Sequence, residues 1–308
     1  MRILRYIVMA FGALTIISNA DAQQDALMSQ YMHNQYAINP AFAGSRVGLT
    51  AFASYRKQWV GVENSPTSIL FSTHTPLKNN SLAVGLMAVN QKILETSTTS
   101  VQAAIAYRMD IGYKGNVLAF ALQPGFSMIK TDWSALDTYD WDKVDDVFAE
   151  NETKTSPTIG VGIALYGDQF FVGASVQSLI VSDAFDKDAE FAPGDATYYV
   201  TGGYEWEMGE DFTLQPSVMF QKTKSTTDVD ITLTPGWQQM LYLELGYRTS
   251  GVMLGGLSIR PKQVPQLKVA YTYERTTGDF SGYNSGSHEI SISFDFVYRV
   301  RNVGPRFF

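Results

Sequence analysis

The 308-residue sequence predicts an all-β protein: a transmembrane antiparallel β-barrel of about fourteen strands, preceded by an N-terminal signal peptide. Three observations carry that prediction. The chain opens like an exported protein, then alternates apolar and polar residues with period two almost to its end. Its candidate strands are also long enough to cross a bilayer. Composition narrows the field. There is no cysteine, which excludes a disulfide scaffold, a thiolate metal site and a lipid-acylated N-terminus. A net charge of −7 argues against a nucleic-acid binder, which would show a basic face.

The first segment has Arg2 and Arg5 ahead of an apolar run from Ile7 to Ile17, closed by Ala20-Asp21-Ala22. A positive start, a short apolar stretch and small residues at a cleavage site describe a secretory signal peptide. The run falls short of the roughly 20 residues that a spanning helix needs. Residues 1–22 are therefore expected to be removed, 23–46 to form a periplasmic N-terminal segment, and 47–308 to form the barrel in a Gram-negative outer membrane.

Strands are expected at 48–57, 66–76, 82–91, 98–110, 116–129, 156–166, 169–179, 197–208, 212–222, 229–239, 241–249, 252–260, 266–275 and 288–299. The last is the clearest: Ile290, Ile292, Phe294, Phe296 and Tyr298 alternate with Glu289, Ser291, Ser293 and Asp295. Most of these runs match the 9–11 residues of a tilted membrane strand rather than the 5–6 of soluble sheets. Barrels of this kind have short periplasmic turns and longer external loops. The longest connections, 130–155, 180–196 and 276–287, all fall in odd places, as an outward-running first strand requires. One odd connection, around Ser250-Gly251, is short.

The apolar faces are expected to meet lipid, with Tyr55, Tyr107, Trp206, Trp237, Tyr247, Tyr273 and Tyr298 near the membrane interfaces. The opposite faces would send Arg108, Asp110, Glu205, Glu207, Asp230, Glu244, Arg248, Lys268, Glu274, Glu289 and Asp295 into the lumen. Fourteen strands imply a diameter of roughly 28 Å. That is wide enough for a pore unless loops or the N-terminal segment fill it.

Little in the sequence suggests catalysis. The three histidines are expected in different places: His33 outside the barrel wall, His74 at the periplasmic end, and His288 at the external end beside Glu289. No serine or paired aspartate accompanies His288 in a hydrolase pattern. The loop 132–150 is rich in acids but lacks the alternating order and central glycine of a calcium loop. Its Trp133, Tyr139, Trp141 and Phe148 are aromatic residues that an exposed loop carries when they pack locally or meet a partner. No enzyme, cofactor or metal is expected.

Several stretches are not accounted for by barrel physics: Ser29-Gln30-Tyr31-Met32, Ile38-Asn39-Pro40-Ala41-Phe42-Ala43-Gly44-Ser45, Tyr55-Arg56-Lys57-Gln58-Trp59 and Ser65-Pro66-Thr67. With the closing Pro305-Arg306-Phe307-Phe308 they closely resemble the PorP/SprF family of type IX secretion system membrane proteins of Bacteroidota. That resemblance implies an outer-membrane barrel working with the type IX secretion and gliding apparatus. Its expected partners are a secreted adhesin or other cargo and further secretion components. Asn39, Pro40 and Gly44 look like turns leading into the first strand, in a segment that either packs on or inside the barrel or offers a docking surface. Arg56, Lys57, Gln58 and Trp59, at the outer end of that strand, could hold the first external turn or grip cargo. Asn39, Pro40, Gly44, Tyr55, Arg56, Gln58 and Trp59 stand out among these residues. With Trp133, Tyr139, Trp141 and Phe148 these are the candidate partner-binding residues. The alternative function is a diffusion porin.

Overall fold

Period-two alternation becomes a closed wall. The computed structural model describes residues 29–78, 80–112, 115–132, 152–180, 196–277 and 282–296. The expected signal peptide, Tyr298, the terminal aromatics and the four aromatic residues of loop 132–150 lie outside them. Among the described residues, two short 3-10 turns, Gln35–Ala37 and Pro40–Phe42, precede fifteen strands. The strands are β1 Leu49–Lys57, β2 Thr67–Pro76, β3 Leu82–Ile93, β4 Thr96–Ile111 and β5 Asn116–Thr131. Then come β6 Glu152–Tyr166, β7 Phe170–Ile180, β8 Thr197–Tyr204, β9 Trp206–Met208 and β10 Phe212–Lys222. The chain continues with β11 Thr227–Trp237, β12 Leu241–Arg248, β13 Val252–Ile259, β14 Leu267–Thr276 and β15 Ser287–Phe296.

Every pairing is antiparallel between sequence neighbours, and β1 pairs with β15 from Leu49↔Phe296 to Lys57↔His288, which closes the ring. β8 and β9 are one membrane span interrupted at a single residue. β10 pairs with both in an unbroken register, Ser217↔Gly203 and Leu214↔Trp206. Between them the Glu205 amide donates to the Gln169 carbonyl at 2.7 Å, and its carboxylate accepts from the Gln215 amide. The barrel thus has fourteen spans, the number that the sequence predicts. Closure removes every sheet edge, which is the condition for a sheet to sit in hydrocarbon.

One end of the barrel has connections of seven residues or fewer: 77–81, 112–115, 167–169, 209–211, 238–240 and 260–266. The other end carries 58–66, 132–151, 181–196 and 277–286. The first is therefore the periplasmic end and the second the external end. Three external connections are short: 249–251, 223–226 between β10 and β11, and the two-residue turn Leu94-Glu95 to which β3 and β4 extend. Outward faces carry exposed apolar residues, among them Tyr55, Tyr107, Trp206, Trp237 and Tyr247 of the expected interfacial set. Inward faces carry buried polar ones, including Arg108, Glu205, Asp230, Glu244, Arg248, Lys268, Glu274 and Glu289. Asp110 and Glu207, expected in the lumen, are exposed, because each lies at a periplasmic strand end.

Candidate functional site

The lumen is occupied by the protein's own residues 29–46. From Ser29 to Ser45 every residue is buried, polar ones included. The segment descends from the external half of the lumen to the periplasmic end, where Arg46 leads into β1. The expected periplasmic segment thus has its described part enclosed by the wall. His33, expected outside the barrel, is inside it and 5 % exposed, with Nε2 3.6 Å from Glu244. The period-two pattern locates faces of strands, and it carries no information on what a non-strand segment packs against.

At the external end the site is ionic. The Arg56 guanidinium donates to Glu274 at 2.6 Å and Glu289 at 3.3 Å. Arg248 donates to Asp230 at 2.6 and 3.1 Å and stands 3.5 Å from Glu274. Ser29 completes this layer. Its hydroxyl donates to Glu274 at 2.5 Å and accepts from Arg56, and its amide donates to Glu289 at 3.2 Å. Two buried arginines against three buried carboxylates is a network in which each charge has a partner, the condition under which burial of charge is tolerated. Gln30 continues downward, donating to Thr272 at 3.0 Å and accepting from Ser291.

Midway, the Tyr31 hydroxyl is 2.8 Å from Ser217, and Asn34 donates to Ser72 at 2.9 Å. The opposite wall then takes over. Ser175 donates to the Ile38 carbonyl at 2.6 Å and Gln177 to the Ala37 carbonyl at 3.0 Å. The Asn39 amide donates to the wall carbonyls of Ile163 at 3.0 Å and Ala174 at 3.3 Å, while its oxygen accepts from the Ala41 amide and caps the second 3-10 turn. Below it, Phe42 is fully buried against Tyr166 and Phe171, with ring centroids 5.6 and 6.0 Å away.

This seat exists because the facing wall is small. Ala83, Ala104, Ala106, Ala119 and Ala164 are buried under the apolar side of the segment. A Cβ at Gly162 would lie 2.1 Å from the Asn39 side chain, and one at Gly85 would lie 2.5 Å from the Tyr36 ring. Gly44 has φ +69°, and a Cβ there would meet Ala83 at 2.5 Å. Both the backbone conformation and the space demand glycine at that position. Its amide donates to His74 Nδ1 at 3.1 Å, and Arg46 donates to the His33 carbonyl at 3.0 Å and to Ser293 at 3.2 Å.

The sequence-predicted residues divide accordingly. Asn39, Pro40, Gly44 and Arg56 come together in the filled lumen. Tyr55 points outward to the membrane. Gln58 is buried in the first external turn, where its amide donates to Pro66, and the Trp59 amide donates to Ser287 at 3.2 Å. His288 and Glu289, neighbours on β15, face opposite sides of the wall. His288 meets the Tyr271 hydroxyl at 2.7 Å on the outer surface, while Glu289 is in the lumen network. Among the described residues no group of histidines and carboxylates is arranged to hold a metal ion. The small wall residues are the part of the site that sequence reasoning missed; their signal is the run of Ala and Gly at inward positions of β3–β7.

The family profile described as "Type IX secretion system membrane protein PorP/SprF" matches residues 20–294. No curated protein matches the sequence. Similar solved structures include the Acinetobacter baumannii outer membrane protein Omp33, at 10 % identity and TM-score 0.46, covering 82 % of this chain and 100 % of that one. The Ralstonia pickettii toluene transporter TbuX is similar at 8 % identity and TM-score 0.48, covering 86 % and 93 %. The outer membrane phospholipase A from Escherichia coli is similar at 10 % and 0.38, covering 81 % and 91 %.

Proposed function

The chain belongs to the PorP/SprF family of type IX secretion system membrane proteins, and from that premise we propose that it is a non-enzymatic outer-membrane barrel that binds a secreted surface adhesin and anchors it or assists its export. The observation that carries this reading is the filled lumen. A barrel whose interior is occupied by its own residues 29–46, tied to the wall by ion pairs and a tight apolar seat, offers partners its external face rather than an open conduit. The external face has ordered parts to offer. Turn 58–66 and the described residues 282–286 are joined by backbone hydrogen bonds from Val60 to Gly286 and from Ser285 to Val60, at 2.8 and 2.7 Å. Tyr283 projects from this platform, 76 % exposed. An exposed aromatic on a fixed turn suits a protein contact. The outward placement of His288, away from Glu289, supports the non-enzymatic part of the reading.

Two measurements test it. Deletion of 132–150 together with Tyr283→Ala is expected to release the adhesin from the cell surface at unchanged barrel levels; unchanged retention would count against the external face. Planar-bilayer recording of the purified barrel is expected to give no stable open conductance, whereas a stable conductance would favour the diffusion porin.

A further inference from the structure

The outer surface carries a row of basic residues that neither the filled lumen nor adhesin binding uses. It follows cross-strand neighbours along the external edge of the wall. Lys57 on β1 stands opposite His288 on β15 and Thr67 on β2, and Thr67 stands opposite Lys92 on β3. Lys92 stands opposite Ser97 on β4, and Ser97 opposite Lys130 on β5. Opposed residues share a face of the sheet. That face is the outward one, because Tyr55, Ile69 and Met128, two residues along on the same side, are exposed apolar side chains. The three lysines therefore recur on every second strand, roughly 10 Å apart.

Height, composition and asymmetry identify what the row meets. On β5 the outward residues run from Leu118 through Phe120, Leu122, Pro124 and Phe126 to Met128, all with apolar side chains. Ten residue steps at a tilt near 40° cover roughly 26 Å of membrane normal, about the height of a barrel's apolar band. Lys130 is the next outward residue and so lies at headgroup level. The row contains no carboxylate; Glu63 and Glu95 belong to the turns beyond it. None of the three ammonium groups forms an ion pair with a described carboxylate. Beside the row, the Asn90 amide donates to Ser97 and Thr99 at 3.1 and 2.8 Å, so the wall turns polar at this height. On the rest of the same edge the outward cations stand singly, Lys222 between Tyr198 and Thr227 and Arg275 opposite Met253 on β13.

We infer that the β15–β5 edge is a binding site for the phosphate groups of outer-leaflet lipids. A cationic row on an acidic protein, facing sideways at headgroup height, matches a layer of phosphates held in the membrane plane. Lysine suits it because it reaches a phosphate as a point charge on a flexible stem.

The test is native mass spectrometry of the full-length barrel purified in detergent and offered bisphosphorylated lipid A or the same lipid with its phosphates removed. The wild type is expected to retain the phosphorylated lipid. The variant Lys57→Gln/Lys92→Gln/Lys130→Gln should lose retention by about tenfold or more, from the sum of three headgroup contacts. Lys222→Gln should retain it, and each single variant of the row should lose part. All three lysines are on the surface, and heat-modifiable gel migration checks that the barrels are folded. Equal retention by the triple variant, or of the dephosphorylated lipid, would overturn the assignment. Displacement of the lipid by millimolar inorganic phosphate would overturn the membrane source and leave a free-anion site.

Discussion

The wall around residues 29–46 has two halves with different chemistry. Along β3–β7 it presents alanine and glycine, and the segment approaches so closely that a single methyl group at Gly162 would collide with Asn39. Along β11–β15 and into β1 it presents Asp230, Glu244, Arg248, Glu274, Glu289 and Arg56, and the segment answers with Ser29, Gln30 and His33. The first half recognises shape and gains from apolar burial. The second recognises charge and gains little net stability, because desolvation offsets most of the attraction; what it fixes is position. The two halves should therefore fail differently. Damage to the charged half leaves unpaired charge in the wall itself, whereas damage to the small half dislodges only the segment.

The largest expected effect is Arg56→Met. It leaves Glu274 and Glu289 short of their cation and should cost about 3–5 kcal/mol in the unfolding of the barrel, measured by urea titration in micelles. A loss well under 1 kcal/mol would mean that the network contributes no more than a surface pair. Next is Gly162→Ala, expected to cost about 1–3 kcal/mol through overpacking against Asn39. The chain lacks cysteine, so Ser45→Cys provides a clean probe. Gly162→Ala should raise maleimide labelling of that cysteine while the barrel keeps its heat-modifiable migration; unchanged labelling would show that the seat tolerates the methyl group. Smallest is Tyr31→Phe, which removes the hydrogen bond to Ser217 and should cost about 1 kcal/mol with no change in labelling.

Much of this architecture was legible in the chain. β10 runs over the predicted residues 212–222, β1 starts one residue late, and the inward and outward sets of β11, β12 and β15 follow their alternation. A lipid-facing strand advertises itself, because each outward residue must be apolar and each inward one need not be. The filling of the lumen was legible only as one of two alternatives for the N-terminal segment, and its contacts were not legible at all. Asn39, Pro40 and Gly44 stood out as unexplained by strands, yet nothing local says that Asn39 bonds to carbonyls more than 120 residues away. Arg56 shows the same limit. Its place at the outer end of β1 was predictable, but whether it served a turn, a cargo or the lumen depended on Glu274 and Glu289, near the other end of the chain. Alanine and glycine at inward positions signal nothing until the bulk that fills the space beside them is known.

The chain order of these contacts governs assembly. Ser29 bonds to Glu289 across 260 positions, and Arg46 to Ser293 across 247. The residues that fill the barrel are synthesised before any strand, and their charged partners on β14 and β15 come last. Contacts so distant in sequence form late, since the loop between them must be ordered first. Seating after closure would require residues 29–46 to be fed into a finished ring. Seating before closure would leave Ser29 waiting for carboxylates not yet in place. Pairing of β1 with β15 and docking of Ser29 onto Glu274 and Glu289 bring together the same two ends of the chain, so ring closure and the locking of its contents form one kinetic step.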